Sequence, residues 1–164
     1  MEAYRVRHNK SLIDLSAQLL IDCSELNKGC EGGSPNKVFN RVLHFQADKD
    51  YPYLGKKGTC REDAAKQEVD GYVISVFNNK KDDEYMKRFL YEHGPVAALV
   101  DASSDSFRNY KSGVYYNSNC SQFRQDLHHA VLIVGYGKDP KEGDYWLLVS
   151  ALTFHLIRSI MNIN

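Results

Sequence analysis

Apolar and polar positions follow two periods along this chain, and the period changes near residue 70. In the first part, apolar residues at 12, 15, 19, 20 and 23 lie close to a helical stripe. Ser16 stands where a hydroxyl can accept one of the free N–H groups of a helix start. A Gly-Cys-Glu-Gly-Gly turn follows at 29–33. Ser34-Pro35 then pairs an N-cap with a first-turn proline and predicts a helix through about Gln46, with Val38, Val42 and Phe45 buried. Tyr51-Pro52-Tyr53 and the glycines at 55 and 58 predict extended and turn structure. Beyond Asp70-Gly71, residues 72–77, 96–100, 113–116, 130–136 and 145–149 read as strands between polar turns. A helix over Asp83 to His93 interrupts them, with Tyr85, Met86, Phe89 and Leu90 inward and Gly94-Pro95 as its stop. A helical first part and a β-rich second part predict an α+β protein of two lobes, divided near residue 73.

Composition narrows the partners. Lys+Arg and Asp+Glu number 21 each, and the charged clusters mix both signs, as at Lys80-Lys81-Asp82-Asp83-Glu84. That balance leaves no basic footprint for nucleic acid and none for an anionic membrane. Residues 1–8 hold no apolar stretch of the kind a signal peptide needs. The most apolar region, 145–163, is broken by Ser150, Thr153, His155, Arg158 and Ser159. It falls short of the roughly 20 apolar residues of a membrane span. The four cysteines lack Cys-x-x-Cys spacing, so no structural metal is expected. Asn9-Lys10-Ser11 and Asn119-Cys120-Ser121 are sequons compatible with a secretory route.

The run from Leu127 to Tyr136 carries the candidate chemistry. His128-His129 opens an aliphatic stretch that closes on Gly135-Tyr136-Gly137. An imidazole at the start of a buried strand is held rigidly and kept from bulk water, which suits a general base. The bland alternative is a hydrogen-bonded structural histidine. Successive strand residues face opposite sides, which argues against a metal held by both histidines. A Ser–His hydrolase using Ser150 is disfavoured, because nothing around it resembles a nucleophile elbow.

Six segments in order extend the pattern: Leu15 to Cys23, Gly29 to Gly33, Tyr51-Pro52-Tyr53 with Cys60-Arg61, Gly94-Pro95-Val96, the histidine run, and Tyr145-Trp146-Leu147. Together, over residues 12–149, they resemble the papain-like cysteine proteases, the cathepsin family. The resemblance implies an α+β, papain-like two-lobe fold with a helical left lobe and a β-barrel-like right lobe. It implies peptide-bond hydrolysis by a Cys–His pair, with no cofactor and no metal: a thiolate attacks, the histidine protonates the leaving amine, and an asparagine orients the ring. His129, directly before Ala130-Val131, takes the histidine's place; His8, His44, His93 and His128 are left as structural or surface residues. Ser150 falls at the asparagine's position, too short and without the carbonyl to hold the ring.

The family's nucleophile lies about 130–150 residues before its histidine, which is before residue 1 here. The resemblance therefore implies a chain truncated at both ends, as from an internal start and a read-through end. It would comprise a partial helical lobe at 1–73 without the nucleophile, a β-rich lobe at 74–150 carrying the histidine, and a divergent tail at 151–164. As given it would be an inactive fragment. The alternative is a non-catalytic homologue serving as a peptide-binding or interaction module. On the substrate side, Gly32 and Gly33 would pair with an extended peptide. Pro35, Leu99 and Ala130 would line a pocket made shallow by Leu99. Cys23 would pair with Cys60, leaving Cys30 and Cys120 outside that pairing. Peptide or protein substrates, cystatin-like inhibitors, and a lysosomal or secreted location for the complete protein follow from the same resemblance.

Overall fold

The computed structural model describes residues 2–39, 44–61, 67–68, 83–121, 123–150 and 155–160. The chain forms two compact units, Met1–Ile74 and Ser75–Asn164.

In the first unit, helices α1 (Glu2–Arg7), α2 (Ala17–Cys23) and α3 (Pro35–Phe39) accompany a two-stranded antiparallel ladder of β1 (His44–Phe45) and β2 (Gln67–Glu68). Seven residues are too few for a helix to stand on propensity alone, so α2 depends on tertiary ties. Ser16 caps it, its Oγ accepting from the Leu19 N–H at 3.0 Å and donating to the Tyr51 carbonyl at 2.6 Å. The fully buried Gln18 donates to Asp22 and to the Lys56 carbonyl and accepts from the Leu54 N–H. Asp22 in turn accepts from the Gly58 N–H at 2.6 Å and the Tyr51 hydroxyl at 2.8 Å. A disulfide joins Cys23 to Cys60. The loop at 51–61 is thus laced to one face of α2.

That lacing gives a pH dependence. Desolvation raises the Asp22 pKa, but hydrogen bonds from Gly58, Tyr51 and Gln18, with the charge of Arg61, outweigh it and hold the carboxyl below its ordinary value. A group whose folded pKa is depressed contributes stability above its unfolded pKa, about 3.9 for aspartate, and loses it as pH falls through the folded value. Asp22→Asn is expected to lower the urea midpoint of the chain at neutral pH and to flatten its decline below about pH 4. A variant midpoint that declines with acid as steeply as the native one would show that Asp22 contributes nothing.

The helix predicted through about Gln46 does not reach it. His44 and Phe45 are strand, because their backbone is claimed by β2, while Ser16 N–H donates to the Gln46 carbonyl at 2.9 Å and Leu15 bridges Ala47. Phe45 is buried, from a strand rather than a helix. Val42 and the strand predicted at 72–77 lie outside the described residues.

The second unit is built on a five-stranded sheet. Its strands are β3 (Val96–Val100), β4 (Val114–Tyr115), β5 (His129–Asp139), β6 (Gly143–Ser150) and β7 (His155–Ser159), in the order β3-β5-β6-β7-β4. All neighbours are antiparallel except β4 and β7. The sheet is open, with β3 and β4 as its edges: an incomplete form of the barrel-like lobe. Helices α4 (Asp83–His93) and α5 (Asp105–Arg108) accompany it. Met86, Leu90, Val100, Phe107, Ile133, Leu148 and Ile157 share one core.

Helix α4 has the predicted bounds, and Gly94 at φ 96° closes it with an N–H to the Leu90 carbonyl. Tyr85 is 46% exposed rather than inward. It sits about a quarter turn from the centre of the Met86–Phe89–Leu90 stripe. There its ring still meets Phe89 while the phenol reaches water.

Residues 155–159 form β7. Ile157 and Ser159 face the core while Leu156 and Arg158 face out, the alternation of a half-buried strand. Leu132, Val149 and Leu156 are successive cross-strand partners on the exposed face. Among the described residues, no helix is long and apolar enough to cross a membrane.

Candidate active site

His129 opens β5, and its backbone is fixed by pairing with Val100 of β3. Ser150 closes β6. Extending the Leu132–Val149 register by one residue sets Ser150 opposite Val131, and so diagonal to His129 on the core-facing side of the sheet. Diagonal neighbours in an antiparallel pair lie within reach of longer side chains. The imidazole supplies the length: His129 Nε2 lies 2.9 Å from Ser150 Oγ. The sequence expectation that serine is too short to hold the ring is therefore corrected, because strand pairing removes the distance that an amide would have spanned. Ser150 is 2% exposed and the Phe107 ring lies edge-on to the imidazole, with centroids 6.3 Å apart. This burial also tells against Ser150 as a nucleophile, since substrate has no route to its hydroxyl.

The site's electrostatics follow from that packing. Desolvation, with the nearby His128 adding to it, pushes the His129 pKa below the ordinary imidazole value. The ring is therefore neutral at pH 7. His128 is exposed and lies one residue before the strand. Its charge acts on Asp101, which hydrogen bonds from Ser103 and Ser121 hold below the ordinary carboxylate value.

The cysteines divide by surroundings. Cys23 and Cys60 are consumed in the disulfide. Cys30 is exposed on the single turn Gly29–Glu31. Cys120 is half-buried in the second unit, where desolvation and the charge of Asp101 push its thiol up and keep it protonated. Among the described residues, no three or more His, Cys, Asp or Glu side chains gather to hold a metal.

The predicted substrate residues fall into two sets. In the first unit, Gly32 has φ 104° and open space where a side chain would project. Gly33 packs against Asn27, whose Oδ1 accepts the Ser34 N–H at 2.8 Å, and Pro35 begins α3. In the second unit, Leu99 and Ala130 are direct partners across β3 and β5. They lie one residue from the Val100–His129 pair and so on the other face of the sheet.

Comparison with known proteins places this arrangement. The family described as papain family cysteine protease matches residues 1–151. Cathepsin J of Mus musculus is 42% identical over 148 residues, covering 84% of this chain and 42% of that protein. The cathepsin L-like protein of Caenorhabditis elegans is 36% identical over 155 residues, covering 90% of this chain and 44% of that protein. Among solved structures, digestive procathepsin L 3 from the Tenebrio molitor larval midgut superposes with a TM-score of 0.83 at 30% identity, covering 98% of this chain and 54% of that one. The chain thus spans about half the length of the relatives it matches or less.

Proposed function

Because the chain belongs to the papain family of cysteine proteases, we propose that it carries the histidine of a cysteine-type peptidase, with His129 exchanging protons with the thiol nucleophile and the leaving amine. One observation supports this reading above the others. The His129 ring is immobilised at a strand start with Nε2 engaged by Ser150, and among the described residues Nδ1 has no partner. A ring so fixed has one nitrogen available for proton transfer.

On this reading, the lobes at 1–73 and 74–150 belong to a larger peptidase that acts on peptide or protein substrates without a cofactor. Gly32 and Gly33 offer backbone to an extended peptide. The cathepsin names of the relatives support a lysosomal or secreted location, and cystatin-like proteins are its proposed inhibitors. The chain of 164 residues is itself proposed to be inactive, since Cys23 and Cys60 are bonded to each other, Cys120 is kept protonated, and Cys30 stands on a single turn rather than at the start of a helix.

A version extended to the length of its relatives is expected to cleave a fluorogenic dipeptidyl substrate and to lose that activity to an epoxysuccinyl reagent. Ser150 at the place of an orienting amide favours a second reading, a non-catalytic homologue that binds peptide. An extended version that binds peptide but does not cleave it would establish that second reading.

A further inference from the structure

We infer that the Ser150 hydroxyl donates to His129 Nε2 and so holds the neutral ring as its Nδ1–H tautomer, making Ser150 a positioning residue that sets the proton as well as the direction of the imidazole. A buried hydroxyl must place its proton, and among the described residues Nε2, at 2.9 Å, is its one hydrogen-bond partner. Only one of the two atoms can donate across that contact when the ring is neutral. Were Nε2 to carry the proton, the serine O–H would be left buried with no acceptor among the described residues, and an unmade buried hydrogen bond is costly. With the hydroxyl as donor, both groups are satisfied. The remaining Nδ1–H lies on a ring that is only half-buried, within reach of water.

The surroundings do not counter this preference. Val100 on β3, Val131 on the same strand and the Phe107 ring edge are apolar, and among the described residues His128 is the one titratable group acting on the ring. An amide at position 150 would do the reverse, because its carbonyl can only accept and would draw the proton to Nε2. In this tautomer Nδ1 can give a proton but cannot take one, so uptake of a proton at Nδ1 requires the first proton to move to Nε2 and the Ser150 hydroxyl to rotate from donor to acceptor. The tautomer stands on the fold of β5 and β6 alone. Its meaning for proton transfer rests on the peptidase reading.

The test uses the whole chain with ¹⁵N-labelled histidine rings and long-range ¹H–¹⁵N spectra at neutral pH. The His129 signals are assigned by their loss in His129→Gln. The native protein should show the Nδ1–H pattern. Ser150→Thr, which keeps a hydroxyl, should retain it. Ser150→Asn should convert the ring to the Nε2–H form, and Ser150→Ala should release it to the mixture of an unconstrained imidazole. A native ring in the Nε2–H form, or one unchanged by Ser150→Ala, overturns the inference. Should the Ala and Asn variants not fold, the native spectrum decides by itself. Failure of peptide hydrolysis in an extended version with the Nδ1–H pattern intact would remove the peptidase reading and leave the tautomer standing.

Discussion

In a version of this protein extended to the length of its relatives, His129→Ala is expected to lower kcat/KM for peptide hydrolysis by about 10²–10⁴-fold or more, the range that a positioned acid–base group supplies. His128→Ala is expected to change it little. The two histidines are adjacent, yet their surroundings make them different residues. His129 is half-buried on the core-facing side of the sheet, tied to Ser150 and flanked by Phe107. His128 is exposed and lies one residue before the strand. Removing it leaves the ring of its neighbour in place. Melting curves of both variants should lie close to that of the parent, so that the activity difference reflects chemistry rather than unfolding.

The same reasoning sets the result for the chain of 164 residues: no hydrolysis, and no labelling that depends on His129. Two cysteines are oxidised, and Cys120 is kept protonated by burial and by Asp101. Cys30, exposed on its turn, can react slowly with any electrophile, but His129→Ala should not alter that rate. If the unextended chain cleaves a peptide and substitution of one of its own cysteines stops it, the proposed division of labour is wrong. If His128→Ala is the disabling change, the choice between the two histidines is wrong.

Residue patterns foretold much of this architecture wherever local chemistry decides the outcome. Ser16 as a helix cap and Gly94 as a helix stop are both written in a few neighbouring residues. The misreadings share a different cause, which is pairing between distant segments. His44 and Phe45 continue a helical stripe on paper, but their backbone is taken by β2. For residues 155–159, where Leu156 faces out and Ser159 faces in, the sequence pattern predicts no element. No window of sequence shows β6 waiting on one side and β4 on the other. Ser150 is the functional instance of the same lesson. Judged by side-chain length against an amide it is inadequate, and only the register of β5 on β6 shows that its hydroxyl reaches the ring. The signal that could have found it was the strand pairing of residues 130–136 with 145–149, followed one step further.

Replacing both Cys23 and Cys60 by serine is expected to give the largest loss of stability of any change considered. The bridge spans a sequence separation of 37, and in the chain-entropy model closing such a loop stabilises by about 4 kcal/mol. For a unit of 74 residues, that corresponds to a fall in melting temperature of about 15–30 °C. The loss has two parts, since the bridge also holds the loop at 51–61 against α2, where Gln18, Asp22 and Tyr51 make their hydrogen bonds. Comparing variants separates them. Asp22→Asn leaves the covalent loop closed and should cost only the polar part, whereas the double serine variant removes the restraint on the unfolded chain and then strains the polar network as well. A combined variant should therefore lose less than the sum of the two, because residues that share one network do not contribute independently. Thiol titration under denaturing conditions gives the chemical check: two reactive groups in the oxidised monomer, Cys30 and Cys120, and four after reduction. An oxidised monomer in which Cys30 is joined to Cys120, or a double serine variant that melts with the native protein, would remove the bridge from its place as the main fastening of the first unit.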